Sequence, residues 1–408
     1  MMTHGKPVKS LVEIGYIEPI HIRRLGDPSP IAVGPGSHGL SAPYITPRTI
    51  LGALVTSMLE LGILNDNDIN NIKKRVIDLE AYSILQDKYG ARVTGPPYAL
   101  LRYPGNTASE KIYIFTWAGP LSLDDLFNEI DKALKNAGKS VSIEDLAERV
   151  WKSVSDLLTR PESVKRWSIT SVRVSLQDPE KVAKEGYLFS RSYLALGRAL
   201  GEKLGEYYIY MPLEVESNVE DLNMMKSSTL IRIGGGSRLA YIRIKILDKE
   251  DPLMEYLLRK INELRNHKLV LIQLASPFPV PDSLRRREIA ERFIETVMRI
   301  LGGRCGKSDR GDLYASRVHV DQHPEGWDLE RNARRPYSAW ILPGSAILAR
   351  TCGQDLSRLL IDMYKGTYID SDANLKKIWN DYLGYIRKLI YEGYGRFIVI
   401  PIGEKAGG

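Results

Sequence analysis

The chain has 408 residues, too many for one small core, and the usual span of about 100 to 200 residues per domain predicts two or three domains, two being the simpler division. Lys and Arg number 57 against 50 Asp and Glu, a net charge of +7 that favours a polyanionic partner without requiring one, so the placement of the cations has to decide. Cys305 and Cys352 are the only cysteines and neither has a second Cys or a His at ligand spacing, which excludes a disulfide framework or a thiolate metal site and fits a reducing cytoplasm. Met1–Lys9 is not followed by an apolar signal segment, and no apolar run approaches the roughly 18 residues of a membrane helix. A cytoplasmic protein with no membrane partner is therefore expected.

In chain order, Val8–Arg23 mixes apolar and polar residues in the alternation of a strand, and Leu25–Pro43 is a loop crowded with Gly, Pro and Ser. Thr46 is the predicted N-cap of a helix with Pro47 at its first position, and Ile50, Leu51, Leu54, Val55, Met58 and Leu59 recur behind it at the spacing of one core-facing stripe. From Asp68 to about Leu158 the pattern predicts mostly helix, with Ser122-x-x-Asp125 and Ser142-x-x-Asp145 placed as capping boxes, Gly138 at a C-cap, and Lys111–Trp117 as an interrupting strand. Strand text then dominates: Ser171–Leu176, Gly186–Tyr193, Tyr207–Leu213, and Thr229–Ile233 with Arg238–Ile246 bracketing Gly234–Ser237.

Asp248–Lys268 predicts a charged connecting helix and Leu269–Leu274 a compact strand ending at the Pro-rich Ser276–Pro281. Leu284, Ile289, Phe293, Val297 and Ile300 mark an amphipathic helix, and Ala339–Leu342, Ser345–Ala349 and Arg396–Ile402 are further strands. Each half reads as strand, loop, helix and later strands. The expected fold class is α+β, two ferredoxin-like (RRM-like) domains at 1–247 and 248–408, the first carrying a helical insert at about 65–160 and a protruding β-hairpin at about 171–193.

Two glycine-rich turns stand at strand boundaries, Gly234–Arg238 with Gly235 and Gly236, and Gly393-Tyr394-Gly395-Arg396. Glycine backbone presents N–H groups to phosphate oxygens at close range and the adjacent arginine adds charge, although a solvated hairpin turn accounts for either one alone. In the hairpin arm, Arg173, Lys181, Lys184 and Arg191 supply cations while Tyr187 and Phe189 offer flat rings, the combination that holds single-stranded nucleic acid; a core Phe189 and ordinary solubilising lysines are the bland alternative. His319-x-Asp321-x-His323 has metal-ligand spacing on a strand, but no further ligand is near and Pro324 and Gly326 turn the segment into a loop, so no metal is expected. Gly302–Ser308 imitates a phosphate-binding loop yet is a residue short and follows a helix, so no nucleotide cofactor is expected. His21 or His38 could serve a metal-independent ribonuclease as general base, with a surface histidine the plainer reading.

Taken in order, Pro47–Leu54 behind an N-terminal strand and loop, the arm Ala183–Phe189, the loop Ile233–Arg238, Pro343-Gly344-Ser345 and the closing Gly393-Tyr394-Gly395 resemble the CRISPR-associated RAMP superfamily of antiviral defence, and within it the third subunit of the type III-B Cmr effector complex. The equivalent Csm subunit shares that architecture. The resemblance implies a non-catalytic ribonucleoprotein subunit, with glycine loops and a thumb-like hairpin around the 5′ handle of the crRNA. Its implied protein partners are the large polymerase-like subunit and the first backbone RAMP subunit. Carried onto this sequence, the expected RNA contacts are His38, Arg48, Arg173, Lys181, Lys184, Phe189, Gly235, Gly236, Arg238, Tyr394 and Arg396. The alternatives are a RAMP endoribonuclease that processes repeat RNA, and a scaffold with no direct RNA role.

Overall fold

The computed structural model describes residues 7–16, 38–39, 42–74, 80–102, 110–137, 142–159, 168–177, 182–194, 206–233, 238–280, 284–301, 313–324, 327–328, 333–334, 337–351, 355–371, 375–379 and 382–405. The chain opens with β1 (Val8–Tyr16), β2 (His38–Gly39), α1 (Pro47–Glu60), α2 (Asp66–Lys73), α3 (Ala81–Tyr89), β3 (Arg92–Val93), β4 (Tyr98–Arg102), β5 (Lys111–Thr116) and β6 (Gly119–Ser122). It continues through α4 (Leu123–Ala137), α5 (Ile143–Thr159), the hairpin strands β7 (Ser168–Gln177) and β8 (Val182–Leu194), β9 (Glu206–Val215), α6 (Val219–Met224), β10 (Thr229–Ile233) and β11 (Arg238–Ile246). Then come α7 (Pro252–Glu263), β12 (Leu264–Leu274), β13 (Phe278–Val280), α8 (Arg286–Ile300), β14 (Leu313–Arg317), β15 (Val320–Pro324), β16 (Trp327–Asp328) and β17 (Ala333–Arg334). The last elements are β18 (Tyr337–Ile341), β19 (Ala346–Arg350), α9 (Leu356–Lys365), α10 (Tyr368–Ser371), α11 (Leu375–Trp379), α12 (Leu383–Tyr391) and β20 (Phe397–Lys405).

Local chemistry sets several of these boundaries. Asn65 and Asp68 close a reciprocal capping box at the start of α2, and Asp251 accepts from the N–H groups of Leu253 and Met254 ahead of Pro252 in α7. Ser122 and Ser142 accept from the N–H groups of Asp125 and Asp145 at 3.3 and 3.1 Å, as their spacing predicts. Thr46 precedes α1 but its hydroxyl meets Thr49 Oγ1 at 2.9 Å instead of a backbone amide.

The first sheet has the order β10-β11-β1-β9-β4-β5-β6, antiparallel throughout, with β3 added to β9. A second antiparallel sheet has the order β14-β19-β12-β20. In both, the opening strand lies between the third and fourth strands of its unit: β1 between β9 and β11, β12 between β19 and β20. A helix follows the opening strand, α1 or α8, and helices follow the third, α6 or α9 to α12. Each sheet therefore places its opening strand between two later ones with helices among the connections, and the α+β class expected from the sequence is the class observed.

The first sheet buries both faces over much of its area. Val12, Ile14, Ile209 and Ile242 pack with Ile50 and Leu54 of α1 and Leu85 of α3 on one side. Leu11, Tyr98, Leu100 and Ile114 on the other side join Leu126, Leu257, Leu271, Ile347 and Phe397 from α4, α7 and the second sheet, so a single core runs through both units. Two elements differ from expectation. The supposed helical insert contributes β3 to β6 to the first sheet: Tyr98–Leu101 is buried on both faces, which leaves no alternation to read. The connecting helix stops at Glu263, because Leu264 and Arg265 pair with Lys405 and Glu404 at the end of β20. No helix among the described residues is long and apolar enough to cross a membrane.

Candidate nucleic-acid interface

One end of the first sheet collects several of the chain's connections. Tyr16 pairs with Ala240 and Gly15 with Tyr208, Arg102 pairs with Glu206, and Ile233 pairs with Arg238 across Gly234–Ser237. β1 ends there, β9 begins there, and β10 ends where β11 begins. His38 and Gly39 lie parallel to Ser190 and Arg191 of β8, and β7 runs antiparallel to β8 from Ser168–Leu194 to Gln177–Val182, with Arg173 opposite Phe189. The backbones of His38, Arg173, Lys184 and Phe189 thus share one three-stranded sheet, which covalent connection ties to the end where Arg238 opens β11. Lys181, Gly235, Gly236 and His21 lie outside the described residues.

The other glycine turn is elsewhere, and its role is corrected. Tyr394 and Arg396 are 2% and 0% exposed, so neither can face an RNA. The Arg396 Nη2 donates to the Val93 carbonyl at 2.7 Å, and desolvation brings the guanidinium pKa down to about 10. Gly393 and Gly395 have φ of 102° and 60°, and a Cβ on Gly393 would lie 2.7 Å from Val93 Cγ1. The turn is glycine-rich so that it can fit between the two units. Arg48 is likewise engaged internally: its Nε donates to Glu392 Oε2 at 2.9 Å and its Nη2 to Glu80 Oε2 at 3.0 Å, beneath the Tyr394 ring. Burial raises the Glu392 pKa and outweighs the lowering by Arg48, while the carboxylates hold Arg48 charged.

His319 stacks on Trp117 with ring centroids 4.1 Å apart, and burial, followed by the charge of Arg317, pushes its pKa down to about 4. Its imidazole is therefore a neutral packing group beside the contact between Trp117 and Pro343. No cluster of three potential metal ligands occurs among the described residues.

A polar group that the sequence reading passed over lies on the first sheet. The fully buried Glu13 of β1 accepts from Tyr210 Oη of β9 at 2.6 Å and is paired with Arg243 and Lys245 of β11. Burial raises its pKa, but the hydrogen bonds from Arg243, Lys245 and Tyr210 outweigh this and hold it below the ordinary value. The available signal was alternation: Tyr241, Arg243 and Lys245, and Tyr208 and Tyr210, each point to one face of their strands.

Fold and interface together define an α+β protein of two similarly connected antiparallel units, with a β-hairpin and a glycine loop joined to one end of the first sheet. Residues 170–365, from the hairpin to the end of α9, match the family model described as CRISPR-associated protein (Cas_Cmr3). That match, over residues 170–365, bears out the resemblance to the Cmr family drawn from the sequence.

Among solved structures, a chain of the type III-B Cmr-beta bound to cognate target RNA is 16% identical, with a TM-score of 0.52 over 95% of this chain and 96% of that one. A second Cmr-beta chain, bound to cognate target RNA and AMPPnP, is 14% identical, with a TM-score of 0.49 over 94% of each chain. A chain of the Csm3-Csm4 subcomplex of the type III-A interference complex is 10% identical, with a TM-score of 0.32 over 83% of this chain and 92% of that one. The comparison with curated proteins finds no match.

Proposed function

We propose that this chain is a non-catalytic RNA-binding subunit of a type III CRISPR effector complex. It holds the 5′ handle of the crRNA and joins the large polymerase-like subunit to the first backbone RAMP subunit. The observation that carries this reading is that β1 ends, β9 begins and β10 gives way to β11 at one end of the first sheet. The Cas_Cmr3 match and the likeness in fold to a chain of an RNA-bound Cmr-beta assembly support it. Lys181, Lys184, Arg173 and Arg238 neutralise phosphates, Gly235 and Gly236 offer backbone N–H groups, and Phe189 and His38 meet splayed bases.

Titration of a labelled handle-containing RNA tests this. Affinity is expected to fall with salt, and each of Lys184→Ala and Arg238→Ala to lower the slope of log K against log salt by about 0.7, the contribution of one phosphate contact on a single strand. Equal affinity for an RNA with a scrambled handle would defeat the sequence-reading part. Labelled repeat RNA incubated with the protein in EDTA is expected to remain intact; cleavage that disappears in His38→Ala would make the protein a ribonuclease instead.

A further inference from the structure

The first sheet leaves part of one face open, beside the end where β1 ends and β9 begins. Leu230 and Tyr241 are direct cross-strand partners on β10 and β11, as are Tyr241 and Gly15, and Gly15 and Tyr208, so these four positions form one row across the sheet. Leu230 is 56% exposed and Tyr241 is half-buried, whereas Tyr208, toward the covered side, is 7% exposed. Glycine inside a strand weakens it and often marks a place where something approaches the backbone closely. Here the first such group is the Tyr241 ring: a Cβ on Gly15 would lie 2.0 Å from its Cζ. The ring therefore lies across β1 instead of standing up from β11, and it meets the Tyr208 ring at 6.3 Å and 67°.

Cations border this aromatic floor. The Arg102 guanidinium is 5.2 Å from the Tyr208 ring centre, and Lys245 is 5.4 Å from the Tyr210 ring centre. Arg243 is one alternation step from Tyr241 on the same strand. The side chains of Arg102, Arg243 and Lys245 are 37, 30 and 28% exposed, while Glu13, which pairs with the latter two from below, is fully buried. At Arg243 and Lys245 solvent thus meets the cations while their carboxylate partner is buried, and Arg102 is paired with the exposed Glu110 at 2.8 Å. That pairing of charge and flat surface suits a polyanion carrying unpaired bases better than an apolar protein surface.

We propose that this open face is a stacking platform for single-stranded RNA, with a base seated on Tyr241 over Gly15 and the sugar–phosphate chain passing Arg243 and Lys245 toward Arg102. It rests on the RNA-binding reading above and adds a second contact area to it.

The test uses the full chain, a fluorescein-labelled ten-nucleotide oligouridine and the handle-containing RNA, with melting curves to confirm that variants are folded. Tyr241→Ala is expected to weaken oligouridine binding by about tenfold, within the range for loss of one stacked base, and Tyr241→Phe to stay within about twofold of wild type. With 4-thiouridine in the oligonucleotide, ultraviolet cross-links are expected on the peptide that contains Tyr241. The cross-link is read in the wild type, so it decides the matter even if Tyr241→Ala misfolds. Wild-type affinity in Tyr241→Ala, equal losses in the Ala and Phe variants, or cross-links confined to other peptides would overturn the platform. If Lys184→Ala still weakened the handle RNA in any of those cases, the RNA-binding reading would survive. Failure of the wild type to bind either RNA would remove both. Loss of a copurifying protein subunit on Leu230→Glu, with RNA binding unchanged, would overturn the platform in favour of a protein-docking face.

Discussion

An arginine beside glycines in a turn is the same text whether it grips a phosphate or braces an interior. Arg396 has no solvent exposure and one carbonyl partner, with its Nε and Nη1 unpaired among the described residues. A buried cation so incompletely satisfied contributes little net stability, so Arg396→Met is expected to shift unfolding free energy by no more than about 2 kcal/mol in either direction. RNA affinity is expected to stay unchanged; denaturant titration and RNA titration of one preparation check both. Arg48 is the contrary case. Arg48→Ala leaves Glu392 buried without its partner and is expected to cost about 3–5 kcal/mol, and adding Glu392→Gln to recover part of that loss. The sequence could not separate these arginines from Lys184 or Arg238, because the distinction lies in which groups from remote segments, Val93 and Glu392, close over them.

His319 supplies a pH dependence at the same scale. Its imidazole is harder to protonate in the folded protein, with a pKa of about 4 against the ordinary 6.5, first because of burial and then because of Arg317. Between those values the unfolded chain takes up the additional proton. The contribution of this residue is therefore full above pH 6.5 and declines as pH falls toward 4. Asp251 acts oppositely: burial raises its pKa to about 6, so its folded form is favoured at low pH and loses ground as pH rises from 3.8 to 6. Comparing His319→Phe with wild type isolates the histidine. The variant is expected to lose less stability than wild type between pH 7 and pH 5, measured as the denaturation midpoint, and parallel losses would contradict the assignment.

At the scale of elements, α1, the hairpin strands and the bracket around Gly234–Ser237 were legible, because each shows its own period or turn chemistry. β4 was not, since a strand buried on both faces loses its alternation and Tyr98–Leu101 then reads as helix. The start of β12 was hidden for another reason: Leu264–His267 is mostly polar, and only the pairing of Leu264 and Arg265 with β20 marks it as strand. Element ends also carry strain that a substitution can expose. Gly366 ends α9 at φ 70°, and a Cβ there would fall 1.5 Å from Arg396 Nη1. Gly366→Ala is expected to cost more than the about 1–2 kcal/mol of left-handed strain alone. Combined with Arg396→Met, which removes the guanidinium, the loss should be less than additive in a double-mutant cycle; strict additivity would mean that the side chain had already moved aside.

At the scale of the molecule, the repeated connectivity of the two sheets suggests a chain divided near residue 247, while the core does not divide there. Leu11, Tyr98 and Leu100 share one apolar cluster with Leu257, Leu271 and Phe397, and polar links cross the division, among them Arg48 to Glu392, Arg396 to Val93, Tyr256 to Asp124, and the Trp117 N–H to the Pro343 carbonyl. Separate domains would unfold separately, whereas a core built from both units makes the loss of either expose the other's apolar face. Full-length protein is expected to unfold in one denaturant transition that coincides by tryptophan fluorescence and far-ultraviolet circular dichroism. A 1–247 fragment is expected to bind a hydrophobic dye and aggregate, because the face of its sheet that carries Tyr98, Leu100 and Ile114 would lie open. Two resolved transitions, or a soluble and cooperatively folding fragment, would show the shared cluster to be a contact between independent domains. The two halves could then change their relative orientation without unfolding, and an RNA held at the end of the first sheet would no longer be fixed relative to the second.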